Sequence, residues 1–236
     1  MGASKKPQMK YLDPKWADQM FYAACRINEG AGAAWLLPLA ALATCGARPA
    51  ALEKGLEYRI EEEGGSTYLV ARVPGVKLKA NAGQPWYCIK WKLGDMQTHR
   101  PRELMVILRA LKKCPDGVLN IQYDAEAIST RLRNLSKTIW PRKKYHVTAY
   151  TYREEFAKAA KMSGVEKAEL ALAMGHVSER SQRQYHGKRK ASNYGKKPIR
   201  PFSTAVAAKP VKKERPQMER FKIMTMRKKA AMRAQG

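Results

Sequence analysis

The sequence predicts an α+β domain, mainly helical, with one small three-stranded antiparallel sheet and a basic C-terminal tail. Three observations predict it. Apolar residues recur at a helical period through most of the chain, the stretch 56–91 changes to short β-rich runs, and beyond Tyr185 lysine, arginine and proline displace core-forming residues. At 236 residues the chain is long enough to bury one good core.

The first helix is expected near Pro14, a residue suited to an opening turn, and carries Trp16, Met20, Phe21 and Ala24 on one face before Gly30 and Gly32 end it. A second, Ala- and Leu-rich helix over about 33–45 reads as buried on most sides. Gly46 breaks it just ahead of Arg48 and Pro49, which places Arg48 at a helix-terminal turn. Strand patterns follow at 58–60, 67–73 and 86–91, separated by Gly64 and Gly65 and by a polar loop over 77–84, as in a meander. The period then returns to helical, with helices expected over about 101–113, 124–138, 149–162, 167–174 and 178–185.

This divides the chain into a short lead (1–13), one domain (14–190) and a tail (191–236). Residues 186–236 hold 16 Lys+Arg against two Asp+Glu, with prolines at 198, 201, 210 and 216. Such a segment cannot bury enough apolar surface to fold alone and is expected to be flexible, although 221–233 has the spacing of a short amphipathic helix on a partner.

The formal charge of +26 implies a polyanionic partner, because clustered cations displace counterions from phosphates. The longest apolar run, 31–45, contains Pro38 and falls short of the roughly 20 residues that cross a bilayer. With no signal segment and Lys6 where an acylation signal needs Ser or Thr, a cytoplasmic, DNA-associated protein is expected. The cysteines at 25, 45, 88 and 114 form no CxxC pair and have no suitably spaced His, so no zinc site is expected.

Gly30-Ala-Gly-Ala-Ala looks like half a dinucleotide fingerprint, but it follows a helix where that motif needs a strand. Taken singly, Tyr185 reads as a surface tyrosine, His176 as a turn histidine and Arg153 as a solvated helix cation. Their order is more informative. Ala-Met-Gly-His176-Val-Ser-Glu-Arg-Ser-Gln-Arg-Gln-Tyr185 stands downstream of a helix start reading Tyr150-Thr-Tyr-Arg153.

On these residues the chain resembles, over about 14–190, the catalytic domain of the tyrosine recombinase (phage integrase) family. Met-Gly-His176 through Tyr185 is similar to the family's C-terminal signature, and Tyr150 to Arg153 to its arginine box. Thr44-Cys-Gly-Ala-Arg48 is similar to the turn bearing its first arginine. Pro-Gly-Val-Lys77-Leu-Lys79 lies where the family places a lysine, between the second and third strands. The resemblance implies a site-specific recombinase or integrase that cuts and rejoins double-stranded DNA through a 3′-phosphotyrosyl intermediate, as a homo-oligomer on DNA. It implies no metal and no cofactor. The alternative is a catalytically inert DNA-binding regulator or accessory factor of the same fold.

The implied chemistry explains the residue types. Negative charge on the non-bridging oxygens suits two permanently charged arginine forks, Arg48 and Arg153. A phenol, with an ordinary pKa of about 10, attacks and leaves again far more readily than an alkoxide, which suits Tyr185 as nucleophile. The departing 5′-oxygen needs a proton; Lys77 and Lys79 both fit, and Lys77 is preferred because it follows the strand end directly. His176 would hydrogen-bond the phosphate, while Lys79, Arg142, Lys143 and Lys144 would contact DNA. His146 is assigned to structure or to a phosphate contact.

The chain departs from the pattern at three positions. Tyr150 stands where the box usually starts with His, Ala51 where an acidic residue usually follows the first arginine, and Glu154 where a His usually follows the box arginine. The short lead before the first helix implies a compact form without the family's N-terminal core-binding domain.

Overall fold

The first helix opens at Trp16 rather than Pro14, because Asp13 spends the intervening residues on a turn: its carboxylate accepts from the Lys15 amide at 2.6 Å and its carbonyl from the Trp16 amide at 3.0 Å. The computed structural model describes residues 12–27, 35–78, 83–95, 100–184 and 199–213, with Met224. Seven α-helices and five strands occur among the described residues. They are α1 (Trp16–Ile27), α2 (Leu36–Cys45), α3 (Pro49–Lys54), β1 (Leu56–Glu63), β2 (Ser66–Pro74), β3 (Trp86–Lys92), α4 (Pro101–Leu111), β4 (Val118–Ile121), α5 (Ala125–Ile139), α6 (Ala149–Met162), α7 (Lys167–Ala173) and β5 (Thr204–Ala207). Single 3₁₀ segments occupy Leu93–Asp95 and Glu179–Gln184.

The sheet therefore has five strands, not three. Its order is β4-β1-β2-β3-β5 and every neighbouring pair is antiparallel. The two additional strands have physical reasons to escape a sequence pattern. β4 buries only Ile121 of its four residues, too little for a visible alternation. β5 lies inside the basic stretch assigned to a tail, and its order comes from hydrogen bonding along the β3 edge rather than from its own apolar content. Helix α3 is also new, and the expected helix over 178–185 is instead the 3₁₀ segment Glu179–Gln184.

One face of the sheet is buried. Leu56 and Tyr58, then Leu69, Ala71 and Val73, then Tyr87, Ile89 and Trp91 alternate inward, whereas Glu57, Arg59 and Arg72 are exposed. Helices α2, α3, α4 and α7 contact the strands. Helix α2 is buried from Pro38 to Cys45, as its all-round apolar sequence predicts, and packs against α4 and α6. The segment 199–213 is tied to this core by the Trp91 indole donating to the Pro201 carbonyl at 2.7 Å and by Phe202 stacked on Phe156 at 5.6 Å.

Candidate active site

Three chain breaks build the site. Helix α2 ends on Gly46 in the left-handed conformation (φ 56), whose amide donates to the Leu42 carbonyl at 3.0 Å. A Cβ here would lie 2.7 Å from Phe156 Cβ, so only glycine lets α2 approach α6. Two residues on, Arg48 is extended at the N-terminal cap position of α3, with Pro49 fixing the first helical φ.

The second break is the start of α6, where Thr151 Oγ1 accepts from the Thr148 amide at 3.0 Å. It sets the helix so that Arg153 faces inward, only 1% exposed. Burying an ion costs several kcal/mol unless its donors are met. Arg153 Nη1 donates to the Gly46 carbonyl at 2.8 Å, and Nη2 to the Met174 carbonyl at 2.6 Å.

The third break is the end of α7. The Gly175 amide donates to Leu172 O at 2.9 Å and the His176 amide to Ala171 O at 2.8 Å, the paired bonds of a Schellman turn with Gly175 at φ 65. Met-Gly-His is thus a helix stop: glycine supplies the left-handed residue and throws the next side chain inward. His176 is 7% exposed.

The two arginines meet on His176. Arg153 Nη2 lies 3.2 Å and Arg48 Nη2 3.4 Å from its Nε2. A guanidinium only donates, so Nε2 is the acceptor and the imidazole proton belongs on Nδ1. Burial first, then Arg153 and Arg48, push the imidazole down to about 2, which keeps it neutral. Two cations sharing one acceptor repel by about 3 kcal/mol at a separation of about 6 Å and an effective dielectric of about 20. An anion between them relieves that repulsion, so the cluster is chemically an oxyanion receptor.

Sequence reasoning missed Tyr87. This β3 residue is 3% exposed, its hydroxyl feels the charge of Arg153, and its ring occupies the space a Gly175 side chain would need, 2.6 Å from such a Cβ. Burial pushes the phenol up, and Arg153 and Arg48 offset part of that rise. No local pattern distinguishes Tyr87 from a core strand tyrosine, because its partners arrive from α6 and α7.

Of the residues expected to be catalytic, Arg48, Arg153 and His176 are brought together. Tyr150 shares the first turn of α6 with Arg153 but is 45% exposed. Lys77 is exposed on the loop after β2. Arg142, Lys143 and Lys144 are exposed in the turn between α5 and α6. Half-buried His146 is held below the usual imidazole range by burial and then by Lys137 and Arg133. Ala51 is buried in α3. Tyr185 and Lys79 lie outside the described residues, as does the expected helix over 221–233 apart from Met224. Among the described residues no three His, Cys, Asp or Glu side chains gather into a metal-binding group, and no helix is long and apolar enough to cross a membrane.

Solved recombinase structures give partial matches. A XerA recombinase matches with a TM-score of 0.48 and 16% identity, over 77% of this chain and 61% of that one. The XerH site-specific recombinase in a post-cleavage complex with palindromic difH substrate gives 0.45 and 15%, over 74% of this chain and 48% of that one. Its pre-cleavage complex with difH gives 0.44 and 15%, over 78% and 53%. The chain spans about half to three-fifths of the length of these proteins. No family model and no curated protein matches the sequence.

Proposed function

We propose that this chain is a site-specific DNA recombinase that cuts and rejoins strands through a 3′-phosphotyrosyl intermediate, working as a homo-oligomer on double-stranded DNA. The observation that carries the reading is the convergence of Arg48 and Arg153 on His176 Nε2 at 3.4 and 3.2 Å. Two permanently charged forks at one point fit the non-bridging oxygens of a phosphodiester better than any neutral substrate. The net charge of +26 supports a nucleic-acid partner.

In this reading the phosphate takes further N–H donors of both guanidiniums, which His176 Nε2 helps to hold in place. The Tyr185 oxygen gives up its phenolic proton to solvent and forms the new bond to phosphorus while the bond to the 5′-oxygen breaks, and Lys77 gives the departing oxygen its proton. The phosphotyrosyl link keeps the bond energy, so a 5′-hydroxyl can reverse the step without ATP. Tyr150, exposed beside Arg153, adds a phenolic donor to the phosphate, a task for which an acidic hydroxyl suffices in place of an imidazole. Arg142, Lys143 and Lys144, with Lys79, hold flanking phosphates.

The test traps the intermediate. Wild type and Tyr185→Phe are incubated with nicked suicide oligonucleotides covering the DNA that flanks the gene, and denaturant-resistant protein–DNA bands are read. A band with wild type alone is the expected result. Equal bands with both proteins overturn the assignment of Tyr185, and DNA binding without a band across broadly sampled sites favours the inert regulator.

A further inference from the structure

Gln84 follows the β2–β3 loop and is 1% exposed. Its side-chain amide makes three hydrogen bonds. Nε2 donates to the His176 carbonyl at 3.2 Å and to the Lys209 carbonyl at 2.7 Å, and Oε1 accepts from the Lys209 amide at 2.8 Å. Its backbone amide donates to the Gly175 carbonyl at 3.2 Å. The opposite amide orientation would set Oε1 against two carbonyls and the NH₂ against an N–H, so the surroundings fix the assignment.

Three separate segments meet on this one side chain. On the far side of the same turn the Lys212 amide donates to Val177 O at 2.9 Å, and the Glu179 amide donates to Lys212 O at 3.2 Å. The backbone on both sides of His176 is therefore held from 83–85 and from 209–212. We infer that Gln84 is a positioning residue of the proposed strand-transfer site: by fixing the His176 carbonyl to the Lys209 peptide, it sets where Nε2 meets the Arg153 and Arg48 guanidiniums. This rests on the recombinase reading for its effect on rate, but not for its effect on the imidazole.

A purely structural glutamine would lower stability and leave the site's geometry intact in whatever protein remained folded. A positioning glutamine changes the site in the folded protein. Both arginine contacts with Nε2 already lie at the long end of hydrogen bonding, so a small rotation of the His176 peptide breaks them. Misplacement on the order of 1 Å costs up to about 100-fold in rate.

The test uses full-length Gln84→Met, similar in length and without hydrogen-bonding groups, below its melting temperature. Two quantities are read: the single-turnover rate of covalent adduct formation against DNA affinity, and the His176 ring signal by NMR, assigned with His176→Asn. The charged groups facing that ring are Arg153 and Arg48. The expected result is a rate about 10- to 100-fold lower with affinity changed less than about twofold, together with a displaced His176 signal. A rate within about twofold of wild type and an unmoved signal overturn the proposal. Should Gln84→Met fail to fold, Gln84→Glu, which keeps the length and the Oε1 acceptor but removes the NH₂ that donates to the His176 and Lys209 carbonyls, carries the same comparison. If wild type forms no adduct, the recombinase reading fails while the His176 signal still decides the positioning role.

Discussion

Arg153 and Lys77 are cations proposed to act on the same phosphate, yet their settings are opposite. Arg153 is 1% exposed, with backbone carbonyls from two helix ends on its Nη atoms, whereas Lys77 is exposed on the loop after β2. The group that must hold charge is fixed when the protein folds, so it needs no reorganisation when the phosphate arrives. The group that must give up a proton is placed where substrate itself can alter its surroundings. On the proposed function, folding and catalysis are inseparable at one end of the site and separable at the other.

The strongest challenge to that contrast is Arg153→Ala. It removes a transition-state donor and also leaves the Gly46 and Met174 carbonyls buried without a partner, at about 1–3 kcal/mol each. A loss of about 2–5 kcal/mol in urea unfolding should accompany a fall in adduct formation of about 10²-fold or more. Unchanged stability would show that the pocket is not built around the guanidinium.

Gly175→Ala tests the backbone part of the pocket. A left-handed alanine costs about 1–2 kcal/mol. Displacing the Tyr87 ring, 2.6 Å from the added Cβ, brings the total to about 2–4 kcal/mol. A calorimetric melt checks it.

Lys77→Ala should do the reverse, cutting adduct formation by about 10²-fold with the melting temperature almost unmoved. Substituting sulfur for the departing 5′-oxygen should restore it, since a thiolate leaves without a proton. Failure of that rescue would move the proton donor elsewhere, with Lys79 the next candidate.

The smallest effect concerns pH. His176 is held at about 2 by burial and then by Arg153 and Arg48, below the unfolded value of about 6.5. Below about pH 6.5 the unfolded chain therefore binds a proton that the folded protein refuses. Stability from this group is complete above that pH and falls as the pH drops, by up to about 1.4 kcal/mol per unit. Urea melts between about pH 6 and pH 5 should show the slope, and His176→Asn should flatten it.

What was legible in the sequence were features with a local cause. Gly46 reads as a helix stop just ahead of Arg48, and His176 stands out through its place in the Met-Gly-His to Tyr185 motif, whose glycine proves to be a second left-handed helix stop. The extent of α6 follows from its period, but the burial of Arg153 on it does not. Gln84 and Tyr87 were illegible because their roles are created by partners far along the chain, at 175–176, 153 and 209, and no window around 84–87 contains them. The strand at 204–207 was hidden for a related reason: composition averages over neighbours, and four residues on a sheet edge need little apolar content of their own when β3 supplies the hydrogen-bonding partner.

The pairing of β5 with β3 also sets an order of assembly. Tyr87 faces Ala207 across that ladder, and the Val177 carbonyl accepts from the Lys212 amide. Chains are synthesised at about 5–20 residues per second, so β3 emerges on the order of 10 s before the strand that covers it. Through that interval its outer amides form an open edge, and Gln84 lacks the Lys209 peptide to which it is hydrogen-bonded. The Gly-His turn gains its second support last, so a ribosome-bound chain that has made every expected catalytic residue still lacks the segment that holds the backbone around His176.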